Sequence, residues 1–227
     1  MAQNNQPKHR QQGRDLRRQR ASRKPIERLL IVCEGSKTEP NYLSEIRHEL
    51  KLPTANVMVL PSQDGNDPLT VVNYAKKIFE YGDSHRKIRA REFDRVYAVF
   101  DRDEHLTYNE ALREVSRLHL CLKNNDKYKV SFQAITSVPC FELWLLLHFE
   151  DVQTYLHRDE ANRRLKKYLC DYQKGSGGHW ASTKMNLEIA KARAVRLYDV
   201  DSAVEGANPY TNMYELTECL INLKNPS

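Results

Sequence analysis

The sequence predicts an α/β fold, a parallel sheet flanked by helices with a helical C-terminal extension. Three observations predict it. Short, nearly continuous apolar runs stand at residues 28–33 (RLLIVC), 57–60 (VMVL) and 95–100 (RVYAVF). Helix-compatible stretches alternate with them. Beyond residue 150 only helical periodicity is left. A run that is apolar at almost every position suits a strand covered on both faces, as parallel sheets require.

Taken in order, the first run stops at Glu34, where Gly35 permits a tight turn, and a helix-compatible stretch follows over 39–50. The second run is closed by Pro61 and the polar turn Asp64, Gly65, Asn66. A helix is predicted over 68–81, with Leu69, Val72, Ala75, Ile78 and Phe79 on one side. The third run stops abruptly at Asp101, Arg102, Asp103. A helix over 108–122, a strand over 128–135 and an apolar helix over 141–148 follow. In the last third, helical patterns cover 158–170, 183–198 and 213–223, the first two separated by a glycine-rich loop, 175–178 (GSGG). The expected organisation is an arm (1–25), an α/β domain (26–150) and a helical extension packed on the sheet (151–227).

The net charge of +6 is unevenly placed. Residues 1–25 hold eight basic groups, among them Arg14, Arg17, Arg18 and Arg20, against the single acid Asp15. The remainder is nearly neutral. A Gln-, Asn- and Arg-rich segment with almost no apolar residue cannot offset its ordering entropy, so disorder is expected there. Such an arm suits neutralisation of nucleic-acid phosphates, although it also serves as a solubilising tail. No apolar run approaches the roughly 18–20 residues a membrane span needs, and no apolar h-region opens the chain. The five cysteines are scattered and never spaced as CxxC. A disulfide framework and a structural zinc site are therefore not expected, and a cytoplasmic location is.

The chemistry-bearing residues stand at strand ends, where open α/β sheets collect their reactive groups. Asp101 and Asp103 follow the third run. Alternate residues on an extended chain point the same way, so these carboxylates can share one hard cation. An aspartate in this place also serves as a helix cap. Glu34 ends the first run, and if the two strands are neighbours it faces the aspartate pair. Three convergent carboxylates would suit Mg2+ or Mn2+ and phosphoryl chemistry, with a free carboxylate left to orient the attacking water. Glu39, in the first turn of the next helix, either joins that shell or complements the helix dipole. Lys37 lies at the same helix start.

A glutamate ending the first strand and a DxD ending a later one resembles the TOPRIM fold of primases, topoisomerases and OLD-type nucleases, over residues 27–136. Whole phrases resemble the RloB-like family: 30–42 (LIVCEGSKTEPNY), 100–103 (FDRD), 137–149 (SVPCFELWLLLHF) and 208–211 (NPYT). That resemblance implies a TOPRIM-like domain and a metal-dependent nuclease in bacterial antiviral defence, of the abortive-infection or restriction-associated kind. It implies DNA or RNA, transfer RNA included, as substrate, and an AAA/ABC-type ATPase as partner. It also favours a site role for Glu142, near the start of the 141–148 helix, over simple dipole compensation. His148, six residues on, falls on another face, as a general acid or base or as a core histidine.

Lys174 and His179 flank the glycine-rich loop and Lys184 follows. These groups suit closure over a phosphate, or ordinary solvated charge. Tyr172 and Trp180 are open to a base-stacking and to a core reading. Gly35-Ser36-Lys37-Thr38 lacks the earlier glycine of a Walker A loop, which excludes a P-loop NTPase. An aspartyl-phosphate phosphatase also uses a DxD, but normally after the first strand and with Thr or Val where His105 stands. A non-catalytic nucleic-acid-binding subunit is the remaining alternative.

Overall fold

The computed structural model describes residues 26–197 and 207–224. The basic arm, 1–25, with Arg14, Arg17, Arg18 and Arg20, lies outside them. The described strands are β1 (Leu29–Cys33), β2 (Val57–Pro61), β3 (Arg95–Asp101), β4 (Ser131–Val138) and β5 (Tyr210–Thr211). The helices are α1 (Thr38–Glu49), α2 (Pro68–Tyr81), α3 (Tyr108–Leu118), α4 (Glu142–Leu147), α5 (Arg158–Leu165), α6 (His179–Thr183), α7 (Leu187–Arg196) and α8 (Met213–Lys224). Strand order is β2-β1-β3-β4-β5, with β1 to β4 parallel and β5 antiparallel to β4. The predicted α/β class holds.

The apolar runs become strands because both of their faces are covered. In β1, Leu29, Ile31 and Cys33 join a core cluster shared with α1, α4, α7 and α8. Leu30 and Val32 point the other way, into a cluster with α2 and α3. All five are fully buried. Each large aliphatic contributes about 1.5–3 kcal/mol by leaving water, so Ile31→Ala should cost about 2–5 kcal/mol. The α2 helix spans the expected 68–81. Asp67 accepts the Leu69 N–H at 3.1 Å and Pro68 occupies the first turn. The Asp67 carboxylate also accepts the Thr107 hydroxyl at 2.8 Å, tying the start of α2 to the entry of α3.

Five elements depart from the sequence-based expectation. The α3 helix stops at Leu118, because His119 turns extended and Leu120 takes a left-handed φ of 57°. The fourth strand runs three residues later than its apolar pattern suggests, since Ser131 pairs with Arg95 and its far end must meet β5. The α5 helix ends at Leu165 and continues only as tight turns. The strand β5 and the short helix α6 were not expected at all. Among the described residues no helix is long and apolar enough to cross a membrane. All five cysteines are described and none is disulfide-bonded.

Candidate active site

Parallel pairing of β1 with β3 brings Cys33 opposite Val99, so Glu34 and Asp101 leave the sheet side by side. The ladder continues one step past β1, with Glu34 N–H donating to the Val99 carbonyl at 2.8 Å. The next rung uses a side chain. Asp101 N–H donates to Glu34 Oε2 at 2.9 Å. Glu34 Oε1 lies 3.2 Å from His105 Nε2. Burial, opposed by that N–H and by His105, raises the Glu34 carboxyl above its ordinary pKa.

Asp101 is the buried centre of the cluster, 8% exposed. Burial holds its carboxyl well above the usual range, and Glu39, Glu34, Glu142 and Asp103 all push it further. Glu39 is pushed up to about 7, first by burial and then by Glu142 and Glu34. Glu142 is completely buried. Its Oε1 accepts the Tyr172 hydroxyl at 2.8 Å and lies 4.0 Å from Lys174 Nζ. Its Oε2 is buried without a partner, as is Asp103 Oδ1. Burial works against the charge of Lys174, but Glu142, Asp101 and Glu39 outweigh it and raise its pKa. The ammonium therefore stays charged.

Asp103 does not reach the site as an alternating strand residue. β3 ends at Asp101, and Asp103 adopts φ 38°, a left-handed conformation that aspartate tolerates better than most side chains. Its N–H donates to the Pro139 carbonyl at 3.0 Å, and its Oδ2 accepts Arg158 Nη1 at 2.9 Å. The expectation that Asp101 and Asp103 align through strand alternation is therefore replaced. Asp103 is delivered by a turn pinned to the β4 side of the sheet.

Gly35 also acts otherwise than expected. Its φ is not left-handed, so the turn does not demand glycine. Space does, because a Cβ there would stand 2.1 Å from Glu39 Oε2. The bare backbone is what lets Glu39 fold over the end of β1.

Glu34, Glu39, Asp101, Asp103 and Lys174 all line one open cleft of about 590 Å³, with His105, Arg158 and the turn Ser62, Gln63, Gly65, Asn66. Glu142 borders it from beneath, through its contacts with Tyr172 and Lys174. Lys37 approaches the Gly175 backbone instead, and Lys184 donates to Glu49 at 2.8 Å, a surface pair away from the cleft. His148 is core. Its Nδ1 is 2.9 Å from the Trp144 carbonyl, and burial lowers its pKa to about 4. Trp180 and Tyr172 are buried too, which removes them from base stacking. The glycine-rich loop is tied to α1, with Gly175 N–H donating to Thr38 Oγ1 at 2.9 Å and Gly178 N–H to Glu45 at 2.6 Å.

The sequence reading missed Arg158, the site role of His105 and the Tyr172–Glu142 bond. Only one local signal hinted at them, namely that His105 follows the DxD by two residues. The oxygen-only donor set suits a hard divalent cation, and so do the two unpartnered carboxylate oxygens. Among the described residues, no group of three or more His, Cys, Asp or Glu side chains stands in ready ligand geometry. Glu34 and Asp103 are turned instead to His105 and Arg158.

The model of the family described as RloB-like protein matches residues 29–220, which includes every described element of the cleft. The chain belongs to the RloB-like family. Neither the curated proteins nor the solved structures compared with it gave a match. Within this RloB-like chain, the matched segment runs from the first residue of β1 into α8, so the helical last third is part of the family unit.

Proposed function

We propose that this RloB-like protein is a metal-dependent nuclease that hydrolyses phosphodiesters of DNA or RNA, with Mg2+ or Mn2+ held by Glu34, Asp101 and Asp103. The observation that carries the reading is Asp101, buried at the end of β3 and crowded by four other carboxyl groups, from the end of β1, the turn after β3 and the first turns of α1 and α4. Burying like charges together is costly, and a divalent cation is the simplest group that would offset it. Bound there, such a cation would supply Lewis-acid stabilisation of charge developing on the phosphate.

The side chains divide the remaining work. Lys174 and Arg158 face the same cleft as cations and bind non-bridging phosphate oxygens. His105 orients Glu34. Glu39 lines the same cleft and is the carboxylate left to accept a proton from an attacking water. Glu142 is held by Tyr172 and anchors Lys174. The TOPRIM-like relationship, a role in antiviral defence, the basic arm as a nucleic-acid anchor and an ATPase partner follow from the family resemblance and belong to the same proposal.

The test is turnover of single- and double-stranded DNA and RNA with Mg2+ or Mn2+, comparing the wild type with Glu34→Gln and Asp101→Asn. Loss of about 100-fold or more in both variants is expected, in the range seen when a group stabilising a transition state is removed. Undiminished turnover in either sinks the mechanism. An anomalous-scattering map of manganese-soaked crystals reads the metal separately, and a peak bounded by Glu34, Asp101 and Asp103 is expected.

A further inference from the structure

Beside the carboxylate cleft lies a second, smaller cavity of about 230 Å³, whose lining includes Arg102, Asp103, Tyr155, His157 and Arg158. It shares Asp103 and Arg158 with the cleft, so their ion pair stands between the two spaces. Two arginines, Arg102 and Arg158, line it together with the acids Asp103 and Glu104. Asp103 Oδ1, at the boundary, is buried and unpartnered.

Tyr155 gives this cavity its character. Its side chain is 73% exposed. A lone exposed tyrosine is ordinary, but this one borders a hollow lined by two arginines next to the candidate active site. The backbone that carries it is held firmly. The N–H of Leu156 donates to Asn208 Oδ1 and its carbonyl accepts Asn208 Nδ2, both at 2.9 Å. An exposed aromatic ring on an anchored stretch of backbone, beside two guanidinium groups, is a combination that stacks a base and tracks a phosphate.

We propose that this second cavity seats one unpaired nucleobase, stacked on Tyr155, while the adjoining phosphate passes Arg158 into the carboxylate cleft. The proposal rests on the nuclease reading and deepens it, because it names the substrate as single-stranded at this position. A base inside a duplex has both faces covered by its neighbours and cannot offer one to Tyr155. At less than half the volume of the main cleft, the cavity takes a single ring system and not a base pair.

The experiment uses the full chain in chelator, so that no turnover occurs, at a salt concentration that suppresses loose phosphate contacts. Fluorescence anisotropy compares a short single-stranded oligonucleotide with the duplex of the same sequence, for wild type, Tyr155→Ala and Tyr155→Phe. Tyr155→Ala should weaken single-strand binding about 5- to 100-fold, the range for loss of one stacked base, and Tyr155→Phe should restore it. Duplex affinity should not move. A strand carrying 5-iodouracil should crosslink to the peptide that contains Tyr155. Unchanged single-strand binding in Tyr155→Ala, equal loss on the duplex, or no single-strand binding by the wild type overturns the subsite. The nuclease reading is judged apart from this, by the turnover of Glu34→Gln.

Discussion

Glu34 and Asp101 are joined by a bond in which a carboxylate oxygen, at 2.9 Å from the Asp101 nitrogen, extends the backbone ladder of β1 and β3. The bond places one site acid by means of another's main chain. The Asp101 carboxyl sits where burial, and repulsion from Glu39, Glu34, Glu142 and Asp103, both oppose its charge.

Asp101→Asn should therefore abolish activity without weakening the fold. Asparagine keeps the shape and removes a charge that the site opposes, so the thermal midpoint in chelator should hold or rise by about 2–8 °C. Differential scanning calorimetry checks it. A fall of several degrees would show that the ionised aspartate is stabilising in the metal-free protein.

The metal-free fold should lose stability as pH rises. Glu39 titrates at about 7 when folded, against an ordinary value of 4.5, and burial is the first cause. Below 4.5 both states hold the proton and no penalty arises. Between 4.5 and 7 the folded state keeps a proton that the unfolded state releases, and above 7 the penalty is complete. Asp101 and Glu34, also raised, act in the same direction. A loss of roughly 2–3 kcal/mol between pH 5 and pH 8 is expected from Glu39 alone. Saturating Mn2+ should offset it, and urea titrations at the two pH values, with and without the ion, decide the matter.

His148 opposes that trend on the acid side. Burial lowers its pKa from 6.5 to about 4, so the unfolded state takes up a proton between those values and the folded state does not. Its contribution is complete above 6.5 and is lost as pH falls through 4. Its Nε2 is buried without a partner. His148→Leu should cost less than about 1.5 kcal/mol at pH 7, leave turnover unchanged and flatten the acid limb of the stability profile. A drop in turnover with normal stability would restore the catalytic reading of this histidine.

Gly35→Ala should act on Glu39. The added methyl would stand 2.1 Å from Glu39 Oε2, the far end of a flexible side chain. The carboxylate can swing away, so the stability change should stay within about 1 kcal/mol. Calorimetric Mn2+ affinity and turnover should both fall. Wild-type turnover in this variant would remove Glu39 as the proton acceptor.

Much of the frame was legible in the chain itself. The 28–33 and 95–100 runs announce strands buried on both faces, and the helix expected over 68–81 is α2. Glu34 and Asp101 could be singled out because each ends an apolar run, and Glu142 through the family resemblance. The two residues of β5 were illegible, being too short for a period and recruited only by the open edge of β4. The left-handed turn at Asp103 was hidden too, because neighbouring strands impose it.

Local order is written at short range, in alternation along strands and the period of helices, so the sequence alone determined the order of the four parallel strands and the main helices, the α/β class and the acids at the strand tips. Which of those acids meet depends on strand order and register, and these are decided when two faces of one sheet are buried at once. Only the tertiary structure could bring Arg158 to Asp103 across 55 residues and Gly175 to Thr38 across 137. Contacts of that span are selected by packing and charge in three dimensions, and neighbouring residues carry no pattern that encodes them.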